Sequence, residues 1–369
     1  MKISLEKHTL FDGVQQVQNV VDKKNTIPVL SNILLESDVE ATSIQVVATN
    51  LEVGISTVLP VTEVTEGSIT IPAQKIFEIL RELPEAPLTL RVEENQWITV
   101  ECAKAHFKLA GLPKTDFPEL PDLPTQDMIG LPQSVLKEMI TRTAFAVSSD
   151  ESRYALTGVL FSISHDELSM VATDGHRLAV VKKPHNLDRD EQVTEVIIPL
   201  KAITEVKKLC TTDEQISINL GESQIAFRRG ETLLVSRLID AQFPDYRQVI
   251  PSESRHIVTV DKDELTRAIR RVSLLCSDTR LIKFTVDQGV LNLSSNDPNL
   301  GEAEEVIPAQ YEDEKLTIGF NARYVSDFLG VVEGEKIQIG LNDSLSPGLF
   351  TSDAEEDAGF CCVIMPMRV

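Results

Sequence analysis

The 369 residues are 42% hydrophobic and 25% charged, with 17 glycines and 18 prolines. This excludes a collagen-like, low-complexity or largely disordered chain and allows two or three domains with real cores. Lys and Arg number 35 against 57 Asp and Glu, a net charge of −22 that by itself argues against binding a polyanion. The start, MKISLEKHTLF, lacks an apolar signal-like core, and no stretch approaches the roughly 18 apolar residues of a membrane span, so a cytoplasmic location is expected. Five cysteines without a secretion signal are expected to be reduced thiols acting as small hydrophobes.

Taken in order, residues 5–21 place Leu10, Val14, Val17 and Val21 on one face and predict a helix. SIQVVATNLEVGISTVLP reads as two alternating strands about a polar turn at Asn50, ending at Pro60. TIPAQKIFEILREL begins as a strand and continues as a helix with Ile76, Leu80 and Leu83 inward. QWITVEC alternates as a further strand, and GLPKTDFPELPDLP, with Phe117 and Pro118, reads as a linker.

The same order then returns. Residues 131–147 predict a helix on Leu136, Ile140, Thr143 and Val147, and ELSMVATDGHRLAVVKKP repeats the strand, turn and strand about Asp174. VIIPLKAITEVKKL repeats the strand and helix, and EQISINLGE, QIAFRRG and TLLVSRLI alternate before a linker with Phe243 and Pro244. A third copy runs through the helix 260–275, VLNLSSNDPNLGEAEEVIP about Asn296, LTIGFNARYVSDFLGVV and EKIQIGLN to the strand-like FCCVIMPMRV. Asn50, Asp174 and Asn296 are separated by 124 and 122 residues, and the two Phe-Pro pairs by 126.

Such a repeat fixes architecture more firmly than local propensity. The chain is expected to be α+β, as three units over 1–125, 126–250 and 251–369. Each should have two helices and seven or eight antiparallel strands, with its helices on one side. The six helical stretches carry a net +4, which leaves −26 for everything else. Lys24, Lys75, Arg81, Lys137, Arg142, Lys201, Lys207, Lys208, Arg267, Arg270, Arg271 and Arg323 lie in or beside them, so positive charge can gather on one surface of an acidic body.

No Walker loop, GxGxxG, CxxC pair or HExxH occurs, and His165, His176 and His185 have no standard ligand spacing. Asp174-Gly175-His176-Arg177 has the residue types of an acid orienting an imidazole, which would suit a hydrolase, but no nucleophile motif accompanies it. A tight turn containing Gly175 accounts for the segment without chemistry. A repeat-built interaction scaffold that encircles nothing is a further alternative.

From MKISLEK through NTIPVLSNILLE, VATDGHRLAV and FPDYRQVIP to VIMPMRV, the chain resembles the bacterial sliding clamps, the beta subunits of DNA polymerase III. The resemblance implies a non-catalytic processivity factor without cofactor or metal. It would be a head-to-tail homodimeric ring around duplex DNA, its helices lining the pore. Helices about 10 Å wide leave a hole of about 9 Å if six are set in a circle and roughly 28 Å if twelve are, so two chains suit a duplex. Implied partners are polymerase subunits, a clamp loader and repair proteins carrying short clamp-binding peptides.

Carried over by matching motif, the client pocket is expected to use Leu156, Thr173, Gly175, His176, Arg177, Leu178, Pro244, Val249, Val363, Met365, Pro366, Met367 and Arg368. Pro366, lacking an N–H, is expected to end ladder pairing and release Met367 from the sheet. DNA contact falls to Lys24, Arg153 and Tyr154, with Lys201 from the basic helices; Ala155 stands where some clamps carry a second tyrosine. The dimer seam is expected to set Lys104, Phe107 and Leu109 on an edge strand against Leu274 and Leu275 of the partner, flanked by Glu302, Glu304 and Glu305. Lys104 and His106 replace arginines of some relatives.

Overall fold

The computed structural model describes residues 1–21, 27–120, 128–185 and 193–369. Six α-helices are present among them: α1 (Lys7–Val17), α2 (Ala73–Glu82), α3 (Gln133–Thr143), α4 (Leu200–Leu209), α5 (Lys262–Val272) and α6 (Ala322–Leu329). The first helix of each repeat is shorter than its apolar pattern. In all three copies it tightens into a 3-10 turn, at Gln18–Val20, Ala144–Ala146 and Ser273–Leu275. Helix α5 shows the local causes most fully. Asp261 caps it by accepting from the Glu264 N–H at 2.8 Å, Asp263 and Glu264 occupy the positive end, and Arg270 and Arg271 the negative end. Among the described residues no helix is long and apolar enough to cross a membrane.

Contacts divide the chain into two compact units, Met1–Leu136 with Lys201–Leu238, and Lys137–Leu200 with Ile239–Val369. Residues of the middle copy therefore occur in both, because each large sheet takes strands from two successive copies. In the first unit an eight-stranded antiparallel sheet joins the strand Val53–Pro60 to Thr232–Arg237, with Gly54 opposite Val235. A five-stranded sheet ends at the strand Ala105–Ala110, and the first copy has nine strands rather than seven or eight, since Glu63–Thr65 adds a short one. Helices α1 and α2 pack together, with Leu10, Val14, Val17, Ile76 and Leu80 fully buried.

The second unit repeats the plan. Its eight-stranded sheet joins Arg177–Pro184 to Phe360–Ile364, with Leu178 opposite Val363. A four-stranded sheet runs from Gly301–Pro308 at one edge to Leu316–Asn321 at the other. Helices α5 and α6 pack together, and Phe284, Phe320, Phe350 and Phe328 form a chain of edge-to-face ring contacts in the core.

Candidate functional site

The turn at Asp174 is built by its own side chains. The Asp174 Oδ1 accepts from the His176 and Arg177 N–H groups at 2.9 and 3.0 Å. The Thr173 hydroxyl donates to the Arg177 carbonyl at 2.6 Å and accepts from the Gly175 N–H at 3.0 Å. Gly175 sits at φ +85°, where a side chain is strained, and an added Cβ would lie 2.5 Å from the Arg153 Nη1.

Arg177 is buried rather than offered to a ligand. Its guanidinium donates to Asp174 Oδ2 at 3.1 Å and Asp327 Oδ2 at 2.5 Å and stacks on the Tyr324 ring at 4.5 Å, so it fastens the turn to α6. Burial pushes the Tyr324 hydroxyl above its ordinary pKa, which keeps that ring neutral under the cation. Asp174 is thereby committed to the turn and to Arg177. Among the described residues no hydrogen bond reaches the His176 imidazole and no group of three His, Cys, Asp or Glu side chains is placed to hold a metal.

A buried apolar cluster lies beside this turn. Leu178, Val363, Leu160, Val171, Val180, Ile197, Ile239 and Tyr246 form one buried cluster, with Ala155, Phe243, Ile250, Leu349 and Cys361 packed against it partly exposed. Pro244, His176, Val249 and Met365 are exposed, Met365 at 38%. Leu156 ends a 3-10 turn, with its carbonyl accepting from Ser148. The structure thus brings the expected pocket residues of both chain segments into one unit. Sequence reasoning missed Tyr246 and Phe243, although FPDY was in view as a linker, and also Leu349, which arrives only because it pairs with Val363 across strands.

The tail corrects one expectation. The Met365 N–H still donates to the His176 carbonyl at 2.9 Å, and Pro366 does end that ladder. Met367 is not released, however: its N–H donates to the Gly319 carbonyl at 2.8 Å, on the free edge of Leu316–Asn321. Gly319 permits this, because a Cβ there would lie 2.7 Å from the Met367 oxygen. Arg368 stays exposed. Burial raises the thiol pKa of Cys361 to about 11 and that of Cys362 further.

Of the DNA candidates, Lys24 lies outside the described residues. Tyr154 is 58% exposed, and Arg153, also exposed, donates to the Asp174 carbonyl at 2.8 Å and so touches the pocket turn. Lys201 is half-buried in the first turn of α4. Of the basic helix residues Arg142 is withdrawn from any shared surface, while Arg271, Lys75, Arg81 and Lys208 are exposed but paired with carboxylates of their own chain. Arg142 is buried with Asp357 at 2.7 Å and Glu138 at 2.5 Å, and Arg271 is bound by Glu305 through both oxygens.

At the expected seam, Ala105–Ala110 is a sheet edge, with Phe107 and Leu109 across from buried Val100 and Ile98 and hence on the core face. Lys104, His106 and Lys108 are exposed. Gly301–Pro308 is the edge of the four-stranded sheet, with Glu302 and Glu304 exposed. Leu274 is 77% exposed in its 3-10 turn, and Leu275 half-buried. The hydrogen bonds from Arg271 hold the Glu305 carboxyl below the ordinary glutamate range, so Glu305 stays ionised and is paired within its own chain.

The described residues form a repeated α+β chain with two eight-stranded sheets, open sheet edges and a buried apolar cluster beside the Asp174 turn. Models of the DNA polymerase III beta subunit match it in order: the N-terminal domain over residues 1–121, the central domain over 130–245 and the C-terminal domain over 247–368. The chain belongs to this family, the sliding clamps, and its fold is the three-domain clamp fold; the role is that of a non-catalytic processivity factor in DNA replication. It is 36% identical to the beta sliding clamp of Pseudomonas putida and 35% identical to that of Chlamydia muridarum, over all of this chain and 100% and 99% of those proteins. It superimposes on a DnaN sliding clamp from Bartonella birtlesii bound to griselimycin with a TM-score of 0.94 at 36% identity, covering 100% of both chains.

Proposed function

We propose that two copies of this chain close head to tail into a ring that encircles duplex DNA and slides on it, tethering replicative and repair polymerases through the cleft at Leu178 and Val363. The observation that carries this reading is the strand bookkeeping of the repeat. Read as units over 1–125, 126–250 and 251–369, the strand after the turn in the first and second units pairs with the last strand of the following unit, as Gly54 opposite Val235 and Leu178 opposite Val363. The third unit's equivalent, Gly301–Pro308, and the first unit's last strand, Ala105–Ala110, are left as sheet edges.

Joining those edges between protomers continues the same ladder. The contact is heterologous, so it closes a ring only if the rotation per chain allows, and two chains supply the twelve helices a duplex requires. Matching core face to core face sets Phe107 and Leu109 beside Leu274 and Leu275, with His106 and Lys108 on the face of Glu302 and Glu304. The −22 net charge is compatible with DNA held by topology, because affinity per phosphate can then be low and sliding fast. Arg153, Tyr154, Lys201 and Lys24 are the proposed DNA contacts. A cytoplasmic location, where the chromosome and its polymerases are, fits this role, as does a clamp loader that opens the ring.

The pocket would take the apolar side chains of client peptides, each contributing roughly 1.5 to 3 kcal/mol, which gives affinities weak enough for exchange. Encirclement is tested by loading the protein on nicked circular DNA and then cutting the circle: retention through moderate salt should be lost on cutting. Equal retention on circular and linear DNA would refute it.

A further inference from the structure

The first unit contains a counterpart of the client cleft, and the following rests on reading the Leu178 cleft as the client pocket. The two turns are built alike. Asn50 Oδ1 accepts from the Glu52 and Val53 N–H groups at 3.2 and 2.8 Å, as Asp174 does from His176 and Arg177. The Thr49 hydroxyl donates to the Val53 carbonyl at 3.1 Å and accepts from the Leu51 N–H at 3.1 Å, as Thr173 does around Gly175. Arg237 donates its N–H to the Glu52 carbonyl at 2.9 Å, the place held by Met365 on His176. Pro118 stands where Pro244 does in the closing segment.

What differs is the lining. Gly54 replaces Leu178, and Leu120 fills the vacated floor: a Cβ on Gly54 would lie 2.2 Å from the Leu120 Cδ2. The cleft, of about 450 Å³, is also lined by Leu51, Glu52, Glu119, Val235 and Arg237. Leu51 holds φ +78°, the left-handed region that Gly175 occupies in the other turn, while its side chain is 47% exposed. The acids differ in commitment. Asp245 spends its carboxylate on the Arg247 N–H and the Gln248 amide at 3.3 and 2.9 Å. The Glu119 and Glu52 carboxylates, both exposed, take part in no hydrogen bond or ion pair among the described residues.

We propose that this cleft is a second peptide-binding site, taking an extended segment whose large apolar side chain is flanked by Lys or Arg. The apolar residue rests on Leu51, Leu120 and Val235, and the flanking cation meets Glu52 and Glu119. The exposed methionine of the client cleft is here an arginine, so the two clefts select different partners rather than duplicating one another.

The test uses the full chain with labelled Ile, Leu, Val and Met methyl groups and two N-acetylated Gly/Ser octapeptides. Both carry Leu-Phe, one between lysines and one between glutamines. The Lys peptide should shift the methyls of Leu51, Leu120 and Val235, and the exposed double substitution Glu52→Gln, Glu119→Gln should weaken that binding about fivefold without changing responses at Leu178, Val363 and Met365. Shifts confined to the Leu178 set for both peptides would overturn the second site and leave the client pocket standing. Response of the Leu51 set with silence at the Leu178 set would support the second site and refute the client-pocket reading. Equal binding of both peptides at the Leu51 set, or none there at millimolar peptide, would overturn the proposal.

Discussion

Two kinds of strand boundary occur in this molecule. At Val53–Pro60 with Thr232–Arg237, and at Arg177–Pro184 with Phe360–Ile364, successive copies are sealed by a full ladder between buried faces. At Ala105–Ala110 and Gly301–Pro308 the same strand types end in exposed side chains. The residues explain the difference. A sealed strand such as RLAVVKKP begins with five buried positions, whereas AHFKLA and GEAEEVIP expose Lys108 on one edge and Glu302 and Glu304 on the other, which disfavours each edge pairing with itself. The sealed joins are part of the fold, whereas the open edges are the ones proposed above to meet a second copy.

The largest expected effect comes from breaking the open kind. Leu274→Asp with Leu275→Asp should turn a dimer into folded monomers, raising the dissociation constant at least a hundredfold in sedimentation runs; a dimer persisting at low micromolar concentration would misplace the seam. Breaking the sealed kind should cost stability instead. Arg177→Ala takes the cation from Asp174 and leaves Asp327 with Arg323 alone, at 3.8 Å, and should lower unfolding free energy by about 3 kcal/mol in urea, with the dimer mass unchanged.

Truncation after Ile364 removes Met365 to Val369 and should abolish polymerase-peptide binding. The lost Met367 to Gly319 hydrogen bond should cost only about 1 kcal/mol of stability, and unchanged peptide affinity would place the pocket elsewhere. The smallest effect is electrostatic. Arg271 lowers the Glu305 pKa, so the stabilisation from that pair is present above the ordinary glutamate pKa and is lost as pH falls through the lowered one. A carboxyl NMR titration should give a midpoint for Glu305 below the usual glutamate value, and Arg271→Gln should restore it.

The helices and turns were legible because their signals are local. Ile76 and Leu80, or Ile203 and Val206, show their face within a turn, and the Asn50 and Asp174 turns show theirs within four residues. The cross-copy joins were not legible, because nothing near Leu178 names Val363 as its neighbour. Nor could the sequence show that Arg177 and Arg142 are buried and paired, since an arginine in a polar stretch looks the same whether it faces water or two carboxylates. The fate of Met367 depended on Gly319, nearly fifty residues away, where the missing side chain makes room for the tail. Most of the pocket was read through resemblance. Its buried floor at Tyr246 and its flank at Leu349 came only from three-dimensional packing.

The position of Phe360–Ile364 has a consequence for biosynthesis. It is the fifth of eight strands in its sheet, yet it is translated after the other seven. A ribosome-bound chain must therefore hold an unfilled slot between Arg177–Pro184 and Gly348–Ser352 until Phe360–Ile364 emerges. Closing that slot links residues nearly two hundred positions apart, a slow event that leaves two strand edges bare to aggregation or chaperones in the meantime. The proposed client pocket includes Val363, so a chain terminated before this strand should not take up a client peptide there.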